Sequence, residues 1–158
     1  MMRISTTIAA AVLLQVAACG GPGENATVPL AEPAAASSMD IGNHVVHFSA
    51  QLTDRLPAEI ASLYNIVRSK NRAMLNVSVI SDDTGASVPA TVTVKTVNLT
   101  GQLKNVNMRK IQEQEAIYYI GETPVSNRET LVFDISVLPE GESEPSELRF
   151  KRDFYTDS

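Results

Sequence analysis

The side chains best suited to binding a ligand are three cations within five positions, Arg68, Lys70 and Arg72. In a chain of net charge -5, such a cluster indicates an anion site, with Asn71 as a further hydrogen-bond donor to a phosphate, a lipid headgroup or an acidic glycan. The alternative is structural, because arginines also bond the carbonyl groups of loops and asparagine also holds turns. We favour the structural interpretation and keep the anion site as the alternative.

No other pattern of side chains predicts catalysis or metal binding. His44 and His47 are three apart on a predicted strand, where they point to opposite faces and cannot share one metal ion. The glutamates of residues 140–147 match no calcium-loop motif and are typical of a solvated hairpin. No serine, threonine or cysteine has a credible base beside it, and no glycine-rich phosphate loop follows a strand. We therefore expect a protein that is not an enzyme and carries neither a metal nor another cofactor.

Composition limits the number of domains and the kind of partner. A chain of 158 residues, 44% of them apolar, is long enough to build one domain with its own core. Its net charge of -5 argues against nucleic acid as the main partner, because binding to phosphates needs a basic surface. Its single cysteine excludes an intrachain disulfide framework and a thiolate metal cluster.

The amino-terminal residues predict export. Arg3 supplies a short positive start, and residues 4–18 are almost entirely apolar or small. This pattern is typical of a secretory signal, and the apolar run is too short for a membrane-spanning helix. We therefore expect residues 1–18 to be a signal peptide.

Cys19 directly follows Val16, Ala17 and Ala18, and these four residues resemble the lipobox of bacterial lipoproteins. The resemblance implies cleavage after Ala18, a diacylglycerol on the Cys19 sulfur and a further acyl chain on its new amino group. Two or more acyl chains make membrane attachment durable, at about 0.8 kcal/mol for each buried methylene. Gly20, in place of the aspartate associated with inner-membrane retention, favours the periplasmic side of the outer membrane. The inner membrane and the soluble periplasm stay as alternatives.

Residues 19–38 predict a flexible tether that starts at the lipidated cysteine. From residue 20 onward this stretch is rich in glycine, proline, alanine, serine and glutamate and has no hydrophobic period. It buries too little apolar surface to offset the loss of conformational entropy on ordering, and its root-mean-square reach is on the order of 25 Å. Residues 39–158 then form the predicted folded domain.

Period-two alternation of apolar and polar residues predicts that this domain is all-β. Five runs show the alternation, at residues 46–52, 75–79, 90–94, 131–137 and 148–154, and two further strands are expected at 103–111 and 116–122. Turn-forming residues separate the runs. About seven antiparallel strands at this spacing predict an immunoglobulin-like two-sheet sandwich with one short helix.

The short helix is expected directly after the first strong strand. Pro57 suits its first turn, and Asn65 is a plausible stop. Between them, Ile60, Leu63 and Tyr64 have the spacing of an apolar stripe on one helix face. We expect this stripe to be the buried side of the helix.

One strand shows a change of phase. Val97 and Leu99 fall on the opposite parity from Val92 and Val94 of the same run. A slip of this kind predicts a β-bulge, or a strand that changes sheets, at Lys95-Thr96.

Several short motifs carry a resemblance to a known family. They are RSKNRA (68–73) running into LNVSV (75–79), VPATV (88–92), NLTGQL (98–103), AIYYIGE (116–122), PVSN (124–127) and FYTD (154–157). Together they resemble an uncharacterised bacterial family, domain of unknown function 4426, over residues 44–157. The resemblance implies a small, exported, mostly β protein and supplies no activity. Leu56 departs from the pattern, because the family tends to have a capping threonine there.

These features lead us to expect a non-catalytic, lipid-anchored periplasmic module that binds or scaffolds other proteins. The membrane would be contacted through the lipid anchor, and the partner would be an envelope protein, whose strand a sheet edge could accept. The alternative is a binder of an anionic lipid or glycan through Arg68, Lys70 and Arg72.

Overall fold

Apolar side chains at every second residue build nine antiparallel strands in the computed structural model, which describes residues 37–157. The strands are β1 (Ser38–Ile41), β2 (His44–Leu52), β3 (Arg72–Ser81), β4 (Ala90–Asn98), β5 (Leu103–Lys104), β6 (Arg109–Glu113), β7 (Ala116–Pro124), β8 (Glu129–Pro139) and β9 (Ser146–Phe154). A 3₁₀ turn (Thr53–Arg55) and the helix α1 (Ala58–Leu63) join β2 to β3. The predicted signal peptide, Cys19 and nearly all of the predicted tether lie outside the described residues.

The strands form two sheets whose order is that of the immunoglobulin fold. One sheet has the order β1-β2-β3-β7-β6 and the other has the order β5-β4-β8-β9. With β1 set aside, the first sheet has the immunoglobulin strands A, B, E and D, and the second has C′, C, F and G. The prediction of an all-β, immunoglobulin-like sandwich with one short α-helix is therefore confirmed.

The described residues form nine strands rather than about seven, for two reasons. The strand β1 begins at Ser38, one residue before the predicted domain start, and adds an edge to the first sheet. The run 103–111, expected to be one strand, is divided between the sheets, since β5 pairs with β4 and β6 pairs with β7.

The crossing between β5 and β6 passes over a glycine of β7. Val106 and Met108 of the crossing pack into the core there. A Cβ atom at Gly121 would lie 2.6 Å from both Met108 Sδ and Val106 Cγ1. The close approach of the crossing therefore depends on the missing side chain of Gly121.

The main core lies between the two sheets. Along β8, every second side chain from Leu131 to Val137 is fully buried, as the alternation predicts. The ring of Phe150 lies next to those of Phe48 and Phe133, with centroid distances of 4.8 Å and 4.9 Å. These aromatic contacts join β2 of one sheet to β8 and β9 of the other.

The β-bulge or change of sheet expected at Lys95-Thr96 is wrong. β4 pairs with β8 in unbroken register along its whole length. Thr96 is fully buried and continues the inward face of Val92 and Val94, while Val97 lies on the outer face. The alternation rule counts threonine as polar, and a threonine at an inward position therefore looks like a change of phase.

The helix begins directly after Pro57, and Asn65 follows its end with a φ of 52°, the left-handed conformation of a helix stop. The apolar stripe expected at Ile60, Leu63 and Tyr64 is wrong, because Ile60 and Leu63 are exposed. A helix of six residues has too few turns for its own stripe to set its orientation.

The apolar residues of this segment instead pack on the outer face of the five-stranded sheet. Leu56, Ala61 and Ile66 are buried there against Met74 of β3 and Ile120 of β7. They form a second, smaller core on the side of the sheet that faces away from the sandwich. None of the helices in residues 37–157 has the length and hydrophobicity needed to cross a membrane.

Candidate functional site

The basic segment begins beside a buried threonine that holds it against the 3₁₀ turn. The Thr53 hydroxyl accepts a hydrogen bond from Ser69 N at 2.9 Å and donates one to Val67 O at 2.8 Å. Arg68 Nη2 then donates to Asp54 O at 2.7 Å. Arg68 is thus bonded to a loop carbonyl group, as the structural interpretation of the segment predicts.

The other members of the basic segment point elsewhere. Arg72 is the first residue of β3, and its Nη1 lies 3.5 Å from Glu122 Oε2 on β7. The N–H of Asn71 donates to Ser69 Oγ within the turn, its carbonyl group accepts a hydrogen bond from Val125 N after β7, and Lys70 is exposed. The structure therefore directs Arg68 towards the 3₁₀ turn and Arg72 towards β7, each onto oxygen atoms of the protein itself.

The two histidines point to opposite faces of β2, as predicted. His44 lies on the inward side, with its Nδ1 3.9 Å from Glu142 Oε1 in the turn between β8 and β9, and His47 is exposed on the outer face. Glu142 belongs to the acidic hairpin, whose other glutamates are exposed. Within residues 37–157, no group of three or more histidine, cysteine, aspartate or glutamate side chains is placed to hold a metal ion.

A different set of cations lines a cavity of about 360 Å³ where β2 of one sheet meets β9 of the other. Arg55 reaches it from the 3₁₀ turn, and Lys151 and Arg152 reach it from β9, while Asp153 is the one carboxylate in the lining. The four ion pairs found among the described residues include none of these three cations. We call this cavity and its four charged residues the cationic seam. Its excess positive charge suits an anionic ligand.

None of the charged residues of this site was predicted from the sequence, although the pattern contains a signal for Arg152. Leu148, Phe150 and Phe154 of β9 are on the core side, and Arg152 has the same parity as these three. It lies opposite the fully buried Leu131 of β8. The signal is one charged residue in an otherwise apolar face.

Within the part of the chain that the structure describes, both strands that border the cationic seam have an unpaired edge there. β1 pairs with β2 only as far as His47, and Ser37 O then accepts a hydrogen bond from Phe48 N. In the described structure, residues 49–52 of β2 therefore have no strand on the side away from β3. Among residues 37–157, β9 pairs with β8 alone. Two rows of backbone groups thus lie beside the cavity, open to pairing with another chain.

The hydrogen bonds of β8 establish which backbone groups of β9 are unpaired. Glu140 N, directly after β8, donates to Pro89 O beside β4 at 2.7 Å, so even-numbered residues of β8 bond to β4 and odd-numbered residues bond to β9. Leu131 is opposite Arg152, and the even-numbered residues of β9 therefore take part in the ladder. The outward-pointing N–H and C=O groups belong to Glu147, Arg149, Lys151 and Asp153.

A second cavity, of about 320 Å³, lies on the outer face of the five-stranded sheet beside α1, and we call it the outer groove. Its apolar lining consists of Leu56, Ile60, Tyr64, Ile66, Met74, Ile111, Tyr118 and Ile120, and its polar lining of Gln51, Asn76 and Glu113. The Tyr64 hydroxyl donates a hydrogen bond to the Glu113 carboxylate, and this bond, with some burial, raises the pKa of Tyr64 above its ordinary value of 10.0. Asn76 Oδ1 is buried and has no hydrogen-bond partner in the described structure.

Comparisons with known proteins agree with this architecture. The family model described as "Domain of unknown function (DUF4426)" matches residues 38–157. A DUF4426 family protein (PA0388) from Pseudomonas aeruginosa PAO1 has a solved structure that is 32% identical, with a TM-score of 0.66, over 75% of this chain and 93% of that one. FetP of uropathogenic E. coli strain F11 is similar in fold at 10% identity, with a TM-score of 0.55, over 77% of this chain and 94% of that one. Among curated proteins, none matches the chain.

Proposed function

The chain belongs to the DUF4426 family, and from this premise and the geometry of β9 we propose that it is a non-catalytic binding module of the periplasm. Its ligand is an extended, acidic segment of an envelope protein, which adds as a strand to the unpaired edge of β9. The observation that carries the proposal is the length of that edge.

β9 is the longest edge strand of the described sheets. It has nine residues, whereas the other edge strands, β1, β5 and β6, have four, two and five. Short edge strands protect a sheet against pairing with other chains, and a long one is a template for strand addition. Four residues of β9 direct both backbone groups outward, so an added strand would form its hydrogen bonds along the full length of the edge.

Charge favours an acidic segment. The lining of the cationic seam has three cations and a single carboxylate, that of Asp153. Further along the edge, Arg149 is already paired with Asp134, since its Nη2 donates to Asp134 Oδ2 at 3.0 Å. The uncompensated positive charge is therefore concentrated at the cavity end of β9. Complementary charge on a partner segment would guide its encounter and its register.

The linings of the two cavities support a binding role rather than catalysis. Neither lining includes a histidine, a serine or a cysteine, the side chains from which most nucleophile and base pairs are built. What the cationic seam offers instead is charge and unpaired backbone, which are the means of peptide recognition.

The proposed location is the periplasmic side of the outer membrane, with a lipid anchor on Cys19. The support is the lipobox-like sequence that ends at Cys19 and the Gly20 that follows it. FetP, which shares the fold, was produced by recombinant expression in the periplasm of E. coli BL21(DE3). A flexible tether between Cys19 and Ser38 would have a root-mean-square reach on the order of 25 Å from the membrane. The inner membrane and the soluble periplasm are the alternative locations.

The alternative function, binding of an anionic lipid or glycan through Arg68, Lys70 and Arg72, has less support. Arg68 and Arg72 are each engaged with oxygen atoms of the protein, and they point to different parts of the fold. A ligand at this segment would have to displace these contacts.

Two substitutions at Lys151 of the full chain test the proposal. Lys151→Thr removes the charge and keeps the outward N–H group, whereas Lys151→Pro also removes that N–H without breaking the ladder to β8. With the full chain as bait in detergent-solubilised envelopes, the wild type should retain a partner. We expect Lys151→Thr to retain less of it and Lys151→Pro to retain none.

Amide hydrogen exchange supplies a direct measurement of strand addition. In the free protein, the N–H groups of Arg149, Lys151 and Asp153 should exchange faster than those of Phe150 and Arg152, because only the latter two lie in the ladder. In the complex with the partner, the outward-pointing N–H groups of β9 should exchange as slowly as those of Phe150 and Arg152. Equal retention of the partner by the wild type and both variants, or exchange at Lys151 that the partner leaves unchanged, would contradict the proposal.

A further inference from the structure

The outer groove is separate from the edge of β9 and has its own chemistry. It lies on the face of the five-stranded sheet that points away from the sandwich, with the α1 segment as one wall. Its volume of about 320 Å³ is within the range of small-molecule sites, roughly 300–1,000 Å³. Most of its lining is apolar, and such a lining contributes affinity without selecting one ligand.

The polar groups of the lining define the head group of a ligand. Asn76 Oδ1 is a buried hydrogen-bond acceptor that no described residue satisfies, and a group of this kind costs free energy until a donor reaches it. A ligand that carries an N–H or O–H donor would supply the missing bond. The groove is therefore suited to a donor at the end of an apolar body.

The charge of the lining favours a positive donor over a neutral one. Glu113 is the one charged residue of the lining, and the rings of Tyr64 and Tyr118 are further groups that attract cations. The nearby Arg109 is outside the lining, and its guanidinium donates to the carbonyl group of Tyr64 at the end of α1. A cation in the groove therefore meets a carboxylate and two aromatic rings, whereas an anion would be repelled.

We propose that the outer groove binds a small organic cation, an amine with an apolar body, whose ammonium group donates to Asn76 Oδ1. The apolar body lies on Met74 and Ile120, which form the floor of the groove. The Glu113 carboxylate supports the positive charge from the rim. A charge-assisted hydrogen bond is roughly twice as strong as a neutral one, so the amine should be preferred to an alcohol of the same shape.

Three probes with one apolar body test this site in the full chain: 4-phenylbutylamine, 4-phenylbutanol and 4-phenylbutyrate. Their binding is measured by NMR titration of the methyl groups of Met74 and Ile120. We expect the amine to bind at least about threefold more tightly than the alcohol, and the carboxylate to bind most weakly. Equal affinities for all three probes, or no shift of either methyl group with the amine, would overturn the proposal.

Two substitutions on the same face of β3 assign the acceptor. Asn76→Leu keeps the size of the side chain and removes the acceptor, and it should weaken amine binding about tenfold. Ser78 lies two residues further along the same face of β3 and outside the lining of the outer groove, so Ser78→Val should leave the affinity for the amine unchanged. An amine affinity that Asn76→Leu does not lower would refute the assignment. Lys151→Pro should bind the amine as the wild type does, which separates this site from strand addition at β9.

Discussion

The hydroxyl oxygen of Tyr119 accepts a hydrogen bond of 2.7 Å from the backbone N–H of Ala90 and thereby joins the two sheets. Tyr119 belongs to β7 of the five-stranded sheet, and Ala90 is the first residue of β4 in the other. Ala90 is opposite Pro139, an odd-numbered residue of β8, so the Ala90 N–H points away from β8, and on that side of β4 the strand β5 pairs only with Thr96 and Val97. The tyrosine thus satisfies a backbone donor that the sheet itself leaves unpaired.

Replacing Tyr119 by phenylalanine should destabilise the protein. The ring would still fill its place in the core, but the Ala90 N–H would lose its acceptor, at a cost of about 1–3 kcal/mol. The free energy of unfolding, measured by urea denaturation, checks this expectation. Tyr118→Phe is the matched control, since the Tyr118 ring lies on the outer face, and it should change stability by less than about 0.5 kcal/mol. Equal effects of the two substitutions would refute the assigned role.

Two buried threonines should respond in opposite ways to replacement by valine. Thr96 Oγ1 has no hydrogen-bond partner in the described structure, so Thr96→Val removes an unsatisfied group at nearly constant volume and should raise the free energy of unfolding by about 1 kcal/mol. Thr53 Oγ1 is hydrogen-bonded to Val67 O and Ser69 N. Thr53→Val breaks both bonds and should therefore lower the free energy of unfolding by about 1–3 kcal/mol. A loss of stability in Thr96→Val would contradict the first expectation.

Gly121→Ala should be destabilising because its new methyl group would collide with the crossing between β5 and β6. The added carbon would lie 2.6 Å from Val106 Cγ1, and overpacking of this kind costs about 1–3 kcal/mol. Val106→Ala removes the colliding methyl group, so the double variant should be less destabilised than the sum of the two single variants. Thermal unfolding of the four proteins gives the coupling energy, and simple additivity would argue against the collision.

Glu129 should make the stability depend on pH in the acidic range. Its carboxylate lies 2.9 Å from Lys104 Nζ, and the two side chains are only 10% and 12% exposed. Burial acts to raise the pKa of Glu129, but hydrogen bonds from Lys104, Asn98 and Ser126 and the charge of Lys104 outweigh it and hold the pKa below its ordinary value of 4.5.

Because the pKa of Glu129 is lower in the folded state, its contribution to stability is fully present above pH 4.5 and is lost as the pH falls through the lowered value. Urea denaturation at pH 7 and near pH 3 should therefore show a larger loss of stability for the wild type than for Glu129→Gln. Equal losses in the two proteins would mean that the pair with Lys104 does not control acid stability.

Cys19→Ala should abolish lipid attachment. If Cys19 is the lipidated first residue of the mature protein, the variant should remain as an uncleaved precursor or be released as a soluble periplasmic form. Metabolic labelling with a fatty-acid analogue decides this. Label that persists in the variant, or that is missing from the wild type, would show that Cys19 is not the anchor. The fold should be unaffected, because the first strand of the described residues begins at Ser38, nineteen positions after Cys19.

The strands and their buried faces were predictable because they depend on local periodicity. Alternation alone placed the inward side chains of β8 and the opposite orientations of His44 and His47. It failed at Thr96, where a polar side chain is buried, and at α1, where six residues are too few for a helical stripe to decide the orientation. At α1 the packing of Leu56, Ala61 and Ile66 on the five-stranded sheet outweighs the local pattern.

The candidate sites were not predictable in the same way. The basic segment at residues 68–72 was visible because its cations are close in sequence, yet Arg68 and Arg72 have different structural partners. The cationic seam joins Arg55 to Lys151 and Arg152, which are nearly one hundred positions away along the chain. No local pattern relates these residues, because the order of the strands in the sheets brings them together.

By itself, the sequence determined the fold class, the family resemblance and the residues that face the core, since each depends on short-range spacing of side chains. Only the tertiary structure decided which strand edges remain unpaired, which cations share a cavity and which buried polar atom has no partner. These properties depend on the pairing of strands that are far apart in the chain, and such pairing is set by the packing of the whole core rather than by any one segment.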